Sequence, residues 1–137
     1  MDNRELITEL TETIWNEKDV GVIHRVFHDE VVIHSPLGNY YGPEAMERIV
    51  RVWLDAFPDM VYTTTDMVCE GNKVVAQWEA QATHRGELRG VNPSGRVVTY
   101  PGVTVFQICD EKVVEYWAYV DTQMVLDQLS DPPLIES

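Results

Sequence analysis

Positive charge is what this chain has least of: 10 Lys and Arg stand against 23 Asp and Glu, for a formal net charge of −13. With no cluster of cations to displace counterions from phosphates, nucleic acid is excluded as a partner, and an anionic membrane surface would repel the chain. Long apolar runs are missing too. No segment approaches the ~20 residues of a membrane-spanning helix. Met1-Asp2-Asn3-Arg4-Glu5 is polar and acidic, unlike a secretory signal. There are two cysteines, Cys69 and Cys109, each just ahead of a turn, and no CxxC pair. Structural zinc is therefore disfavoured, and free thiols in a reducing cytoplasm are expected. Glycine-rich phosphate loops, serine-elbow motifs and dinucleotide fingerprints are absent, as are repeats and low-complexity stretches.

What remains is an ordinary globular balance, 45% hydrophobic and 24% charged over 137 residues, which suits one domain spanning 1–137. Residues 3–17 carry Leu6, Ile7, Leu10, Ile14 and Trp15 on one side at helical spacing. Asp19 is placed to cap a short second helix with Val22, Ile23, Val26 and Phe27. Residues 30–34 read as a short strand, closed by a turn over 35–39. A third helix opens at Gly42-Pro43-Glu44, carries Met46, Ile49, Val50, Trp53 and Phe57, and is ended by Pro58. From Met60 the period changes to two. Strands are expected at 60–69, 73–84, 86–91, 96–108 and 112–121, then a helix over 122–129 and a tail from Asp131. Helices followed by antiparallel strands make an α+β plan, in which a strongly bent sheet encloses a pocket against the helices.

Alternation then selects the pocket face. On 73–84 it aligns Ala76, Trp78, Ala80, Ala82 and His84, and the small alanines leave room for a ligand. On 112–121 the odd positions Val113, Glu115, Trp117, Tyr119 and Asp121 form a mixed aromatic and acidic face, expected to meet the pocket. Asp121 is the leading acid/base candidate, because an apolar pocket disfavours a carboxylate's charged form and makes it a better proton acceptor. It also directly precedes Thr122-Gln123-Met124-Val125, so it equally suits the cap of the last helix. The two roles are compatible. His34 and His84 each end a strand, where either serves to bond a substrate carbonyl, to orient Asp121, or simply to satisfy structure. Trp15, Trp53, Phe57, Trp78, Tyr100 and Trp117 are individually core residues, and together they predict a lining for a planar hydrophobic small molecule. Glu115 is counted with that lining as an exposed or paired group rather than a second base. No tight His/Asp spacing supports a metal.

Particular segments carry a resemblance: Val31-Val32-Ile33-His34, Gly42-Pro43-Glu44, Ala56-Phe57-Pro58-Asp59-Met60, Thr83-His84-Arg85-Gly86-Glu87, Pro93-Ser94-Gly95-Arg96 and the run from Trp117 to Asp121. Through them the chain resembles the SnoaL-like polyketide cyclases, or ester cyclases, of the nuclear-transport-factor-like superfamily. The resemblance implies a cone-shaped α+β fold, a curved antiparallel sheet packed on three N-terminal helices around a pocket. It implies a cofactor-free intramolecular aldol condensation of an aromatic polyketide-type ester, with no metal. The family's acid/base aspartate falls on Asp121, its motif histidines fall on His34 and His84, and Gln107 is a supporting polar group. A cytoplasmic homodimer is implied as well. Fold does not fix chemistry, however, and the same cone hosts dehydratases, isomerases, hydrolases and non-catalytic binding proteins. One departure is Glu111, where the family usually has Gly.

Overall fold

Asp2 begins the first element by accepting the Glu5 N–H at 2.8 Å, which caps helix α1 (Asn3–Thr11). In the computed structural model, which describes residues 1–130, α1 does not run straight to its end. Its last turn, Glu12–Asn16, widens into a π-turn in which the Glu17 N–H reaches back to Glu12. Asn16 fastens this turn to the sheet by giving its amide to the Tyr62 carbonyl and accepting the Tyr62 N–H. Trp15 is thereby laid on the Tyr62 ring, 6.2 Å between centroids. Asp19 caps a short turn at Val20–Val22, which leads into a single helical turn, α2 (Ile23–Val26).

Strand β1 (Phe27–Ser35) is longer than its sequence suggests, and β2 (Gly38–Tyr41) begins within the 35–39 segment read as a closing turn. The reversal needs only Pro36 and Leu37, because Ser35 Oγ donates to the Gly38 carbonyl and accepts the Leu37 N–H. Helix α3 (Pro43–Ala56) follows with proline in its first turn, as expected. It buries Met46, Ile49, Val50 and Trp53, each worth about 1.5–3 kcal/mol of apolar burial. The remaining elements are β3 (Val61–Glu70), β4 (Lys73–Thr83), β5 (Val97–Cys109), β6 (Lys112–Val120) and α4 (Thr122–Ser130). The tail expected from Asp131 lies outside the described residues. Asp110 and Glu111, which turn β5 into β6, both sit in the left-handed region, at φ 51° and 60°.

No strand forms at 86–91. Arg89 and Gly90 have φ of 47° and 86°, and the tight turn they make leaves Leu88 paired only with Val91. This stretch is a loop, closed at its base by the His84 N–H on the Arg96 carbonyl and the Gly95 N–H on the His84 carbonyl. It docks on α3, where the Arg85 and Gly86 N–H groups both meet the Ala56 carbonyl. Glycine is required at 86, since a Cβ there would overlap the Asp55 carbonyl.

The sheet order is β2-β1-β6-β5-β4-β3. It is not wholly antiparallel: β1 runs parallel to β6, with Ile33 opposite Tyr116 and His34 opposite Trp117. α1 packs on β3 and β4, and α3 on β1 and β2, so the helices fill the concave face. A bulge then changes the parity of β6. Gln107 pairs with Glu115 and Ile108 with Val113, which leaves Val114 as an extra residue. Val113 points inward, but beyond the bulge Tyr116, Ala118 and Val120 face the concave side. Glu115, Trp117 and Tyr119 face out, opposite to the strict alternation read from the sequence.

Two predictions concern stability. Gly102 lies opposite Trp78, and a Cβ at 102 would run into the indole, whose Nε1 donates to Thr104 Oγ1 at 2.9 Å. Gly102→Ala should cost about 1–3 kcal/mol in denaturant unfolding; wild-type stability would show that the indole moves aside freely. Asp59 accepts both the N–H and the hydroxyl of Thr83 at 2.7 Å, and these bonds hold its carboxyl below the ordinary carboxylate range. A depressed folded value means stability present above the unfolded pKa of about 3.9 and lost as pH falls through the folded one. Asp59→Asn should therefore flatten the fall in stability below about pH 4, as measured by unfolding across pH.

Candidate functional site

Between α1, α3 and the concave sheet lies an aromatic slot. Its walls are Trp15, Trp53, Tyr62, Trp78, Tyr100 and Tyr116, with Ile49 and Met60 behind them. The aromatic rings support one another: Tyr62 and Trp78 stack at 5.2 Å, and Tyr100 lies 6.0 Å from each of Trp53, Phe57 and Trp78. The slot is narrow, a cavity of about 30 Å³. Ser35, Pro36, Ala118 and Val120 form its mouth, and the same four residues border an open cleft of about 460 Å³. The two spaces thus share one wall. The cleft lies at the carboxyl ends of the parallel strands β1 and β6, and His34, Asn39, Tyr119 and Asp121 complete it.

The slot's side chains carry no carboxylate, imidazole or cation. Its ionisable groups are Tyr62, Tyr100 and Tyr116. Burial, aided at Tyr62 by the neighbouring Tyr116, pushes all three hydroxyls well above the ordinary tyrosine range, so they stay protonated. Among the described residues, the carboxylate and imidazole groups bordering these spaces are Asp121 and His34 of the cleft. Asp121 is exposed rather than buried in an apolar wall, and its Oδ1 accepts the Met124 N–H at 3.0 Å as the cap of α4. Among the described residues nothing engages its second oxygen.

His34 is held between two acceptors. Nε2 lies 2.8 Å from Glu115 Oε2, Nδ1 lies 3.3 Å from Asn39 Oδ1, and the ring stacks on Trp117 at 5.4 Å. These contacts tie β1, β2 and β6 together on the outer face and leave the imidazole bordering the cleft.

Several expected positions fall elsewhere. Glu115 and Trp117 lie on the outer face because of the Val114 bulge, and Gln107 turns away to donate to the Asn72 carbonyl at 3.3 Å. Phe57 supports Tyr100 from behind without lining the slot. His84 lines neither space. Its Nδ1 accepts the Ser94 N–H at 3.1 Å, which places the hydrogen on Nε2, and the side chain is fully buried as the latch of the loop base. Tyr62, Tyr116 and Ser35 are wall and mouth residues that sequence reasoning missed. Alternation along 60–69 contained the signal for Tyr62, whereas the bulge concealed Tyr116. Among the described residues, no group of three or more His, Cys, Asp or Glu is arranged to hold a metal, Cys69 and Cys109 are free, and no helix is long and apolar enough to cross a membrane.

Fold and slot define a cone-shaped α+β protein of the nuclear-transport-factor-like kind. More narrowly, the chain belongs to the SnoaL-like polyketide cyclase family, whose model matches residues 5–129. A provisionally assigned SnoaL-like polyketide cyclase from Jannaschia sp. CCS1 is 26% identical, over 96% of this chain and 93% of its own, with a TM-score of 0.88. IdmH from Streptomyces antibioticus, provisionally assigned as a polyketide cyclase, is 26% identical over 96% and 100%, at 0.83. AclR from Streptomyces galilaeus, provisionally assigned as a hydroxylase, is 27% identical over 96% and 85%, also at 0.83. No curated protein matches the chain.

The two roles of Asp121 separate by substitution. Asparagine caps helices about as well as aspartate, whereas alanine loses about 1 kcal/mol. Asp121→Asn should therefore unfold like wild type, and Asp121→Ala should be destabilised by about 1 kcal/mol in urea unfolding. Equal stability of all three proteins would mean that the cap is not formed.

Proposed function

We propose that this protein is a cofactor-independent cyclase that closes a ring in a planar aromatic polyketide-type ester by intramolecular aldol condensation. The observation that carries the reading is an aromatic slot that shares four lining residues with a cleft bordered by Asp121, whose second carboxylate oxygen no described residue engages. One edge of the flat substrate enters the slot, and the reacting carbons remain in the cleft. Asp121 removes the acidic proton from the carbon between two carbonyls, the enolate carbon bonds to the ketone carbon, and Asp121 returns the proton to the new alkoxide. A carbon acid activated by two carbonyls needs little beyond positioning and enolate stabilisation. His34, fixed by Glu115 and Asn39, is the polar neighbour across the cleft. A homodimer in the cytoplasm belongs to the same reading and rests on the family resemblance alone.

One observation favours a second reading, that of a small-molecule-binding protein: the enclosed slot holds no acid or base, and Asp121 is exposed. Turnover decides between them. With an aromatic polyketide β-keto methyl ester followed by absorbance, wild type should form the ring and Asp121→Asn should lose about 10²-fold or more of that rate. Equal rates would remove Asp121 from the chemistry. Binding without turnover by both proteins would establish the binding protein.

A further inference from the structure

Most polar groups around the slot are already engaged. Trp78 gives its N–H to Thr104, Ser35 Oγ is bonded on both sides, and the Tyr62 and Tyr116 hydroxyls are partnered by Thr64 and Thr104. Tyr100 and Trp53 differ. They are 2% and 5% exposed, their rings lie 6.0 Å apart, and neither the Tyr100 hydroxyl nor Trp53 Nε1 has a partner among the described residues. Among those residues the one completely covered side-chain polar atom lacking a partner is His84 Nε2. Neither donor is fully covered, and both residues line the slot.

An indole N–H only donates, and a tyrosine hydroxyl pushed well above its ordinary range by burial stays protonated. Two unmet donors, on rings 6.0 Å apart that border the same apolar slot, call for an acceptor on the ligand, because an unpaired buried donor is unfavourable. No cation lines the slot to hold a carboxylate, which makes a neutral carbonyl the fitting acceptor.

We propose that Tyr100 and Trp53 together clamp a carbonyl oxygen, making the slot selective for flat ring ketones over the matching hydrocarbons. The proposal rests on the slot being the ligand site and does not depend on turnover. The test uses ¹H–¹⁵N spectra of the whole chain titrated with acetophenone and, separately, ethylbenzene, with the Trp53 indole resonance assigned through Trp53→Phe. Acetophenone should shift the Trp53 indole N–H downfield, and ethylbenzene should not. Tyr100→Phe should weaken acetophenone about fivefold and leave ethylbenzene within about twofold. That substitution removes a hydroxyl that no described residue uses, and the wild-type Trp53 shift decides the matter even if the variant folds poorly. Equal indole shifts from both probes, or equal effects of Tyr100→Phe on both, would overturn the clamp alone. Absence of binding by either probe would overturn the clamp together with the slot reading beneath it.

Discussion

The parallel pairing of β1 with β6 is the constraint on which the rest of this molecule depends. Without it, β3 to β6 would form an antiparallel meander with its last strand at an exposed edge. With it, the chain's amino-terminal third is bound alongside the end of that meander, α3 is held over the concave face, and Ser35 and Pro36 stand beside Ala118 and Val120. The same pairing stacks His34 on Trp117 and sets Glu115 against its Nε2. Slot, mouth and cleft are all products of one strand alignment between distant parts of the sequence.

This dependence explains which features were legible in advance. Local signals were strong wherever one element's own pattern decided the outcome. The apolar stripe and proline start of α3, the even-numbered face of β4 and the Asp19 cap could all be read directly. Failures came where distant partners decide. β2 exists because β1 offers it an edge, and nothing in Gly38–Tyr41 alone demands a strand. The bulge at Val114 has no marker residue, yet it reverses the facing of everything after it, moving Glu115 and Trp117 out and Tyr116 in. At 86–91 the glycines served a helix-docking loop rather than a strand. His84 looked like a wall group because it ends an inward-facing run, but that run leaves the sheet one residue earlier.

The chemical groups are also distributed more sharply than composition suggests. Asp121 and His34 border the open cleft, while aromatic and aliphatic side chains without a charged group line the slot. Charge inside such a slot would be costly, whereas an extended conjugated molecule with carbonyls at its edges meets apolar faces and hydrogen-bond donors together. The separation of an uncharged slot from a cleft bordered by Asp121 and His34 is how this chain fills the family's cone architecture.

The hairpin joining β5 to β6 is turned by two adjacent carboxylates in the left-handed region, where Asn-Gly would be at ease and where each such residue costs about 1–2 kcal/mol. A turn of that kind does not nucleate its own hairpin. Strand β6 then takes its register from the pairings along its length, with β5 on one side and β1 on the other. The mouth and cleft, built from the last residues of β6, therefore owe their shape to two neighbouring strands rather than to the turn that precedes them.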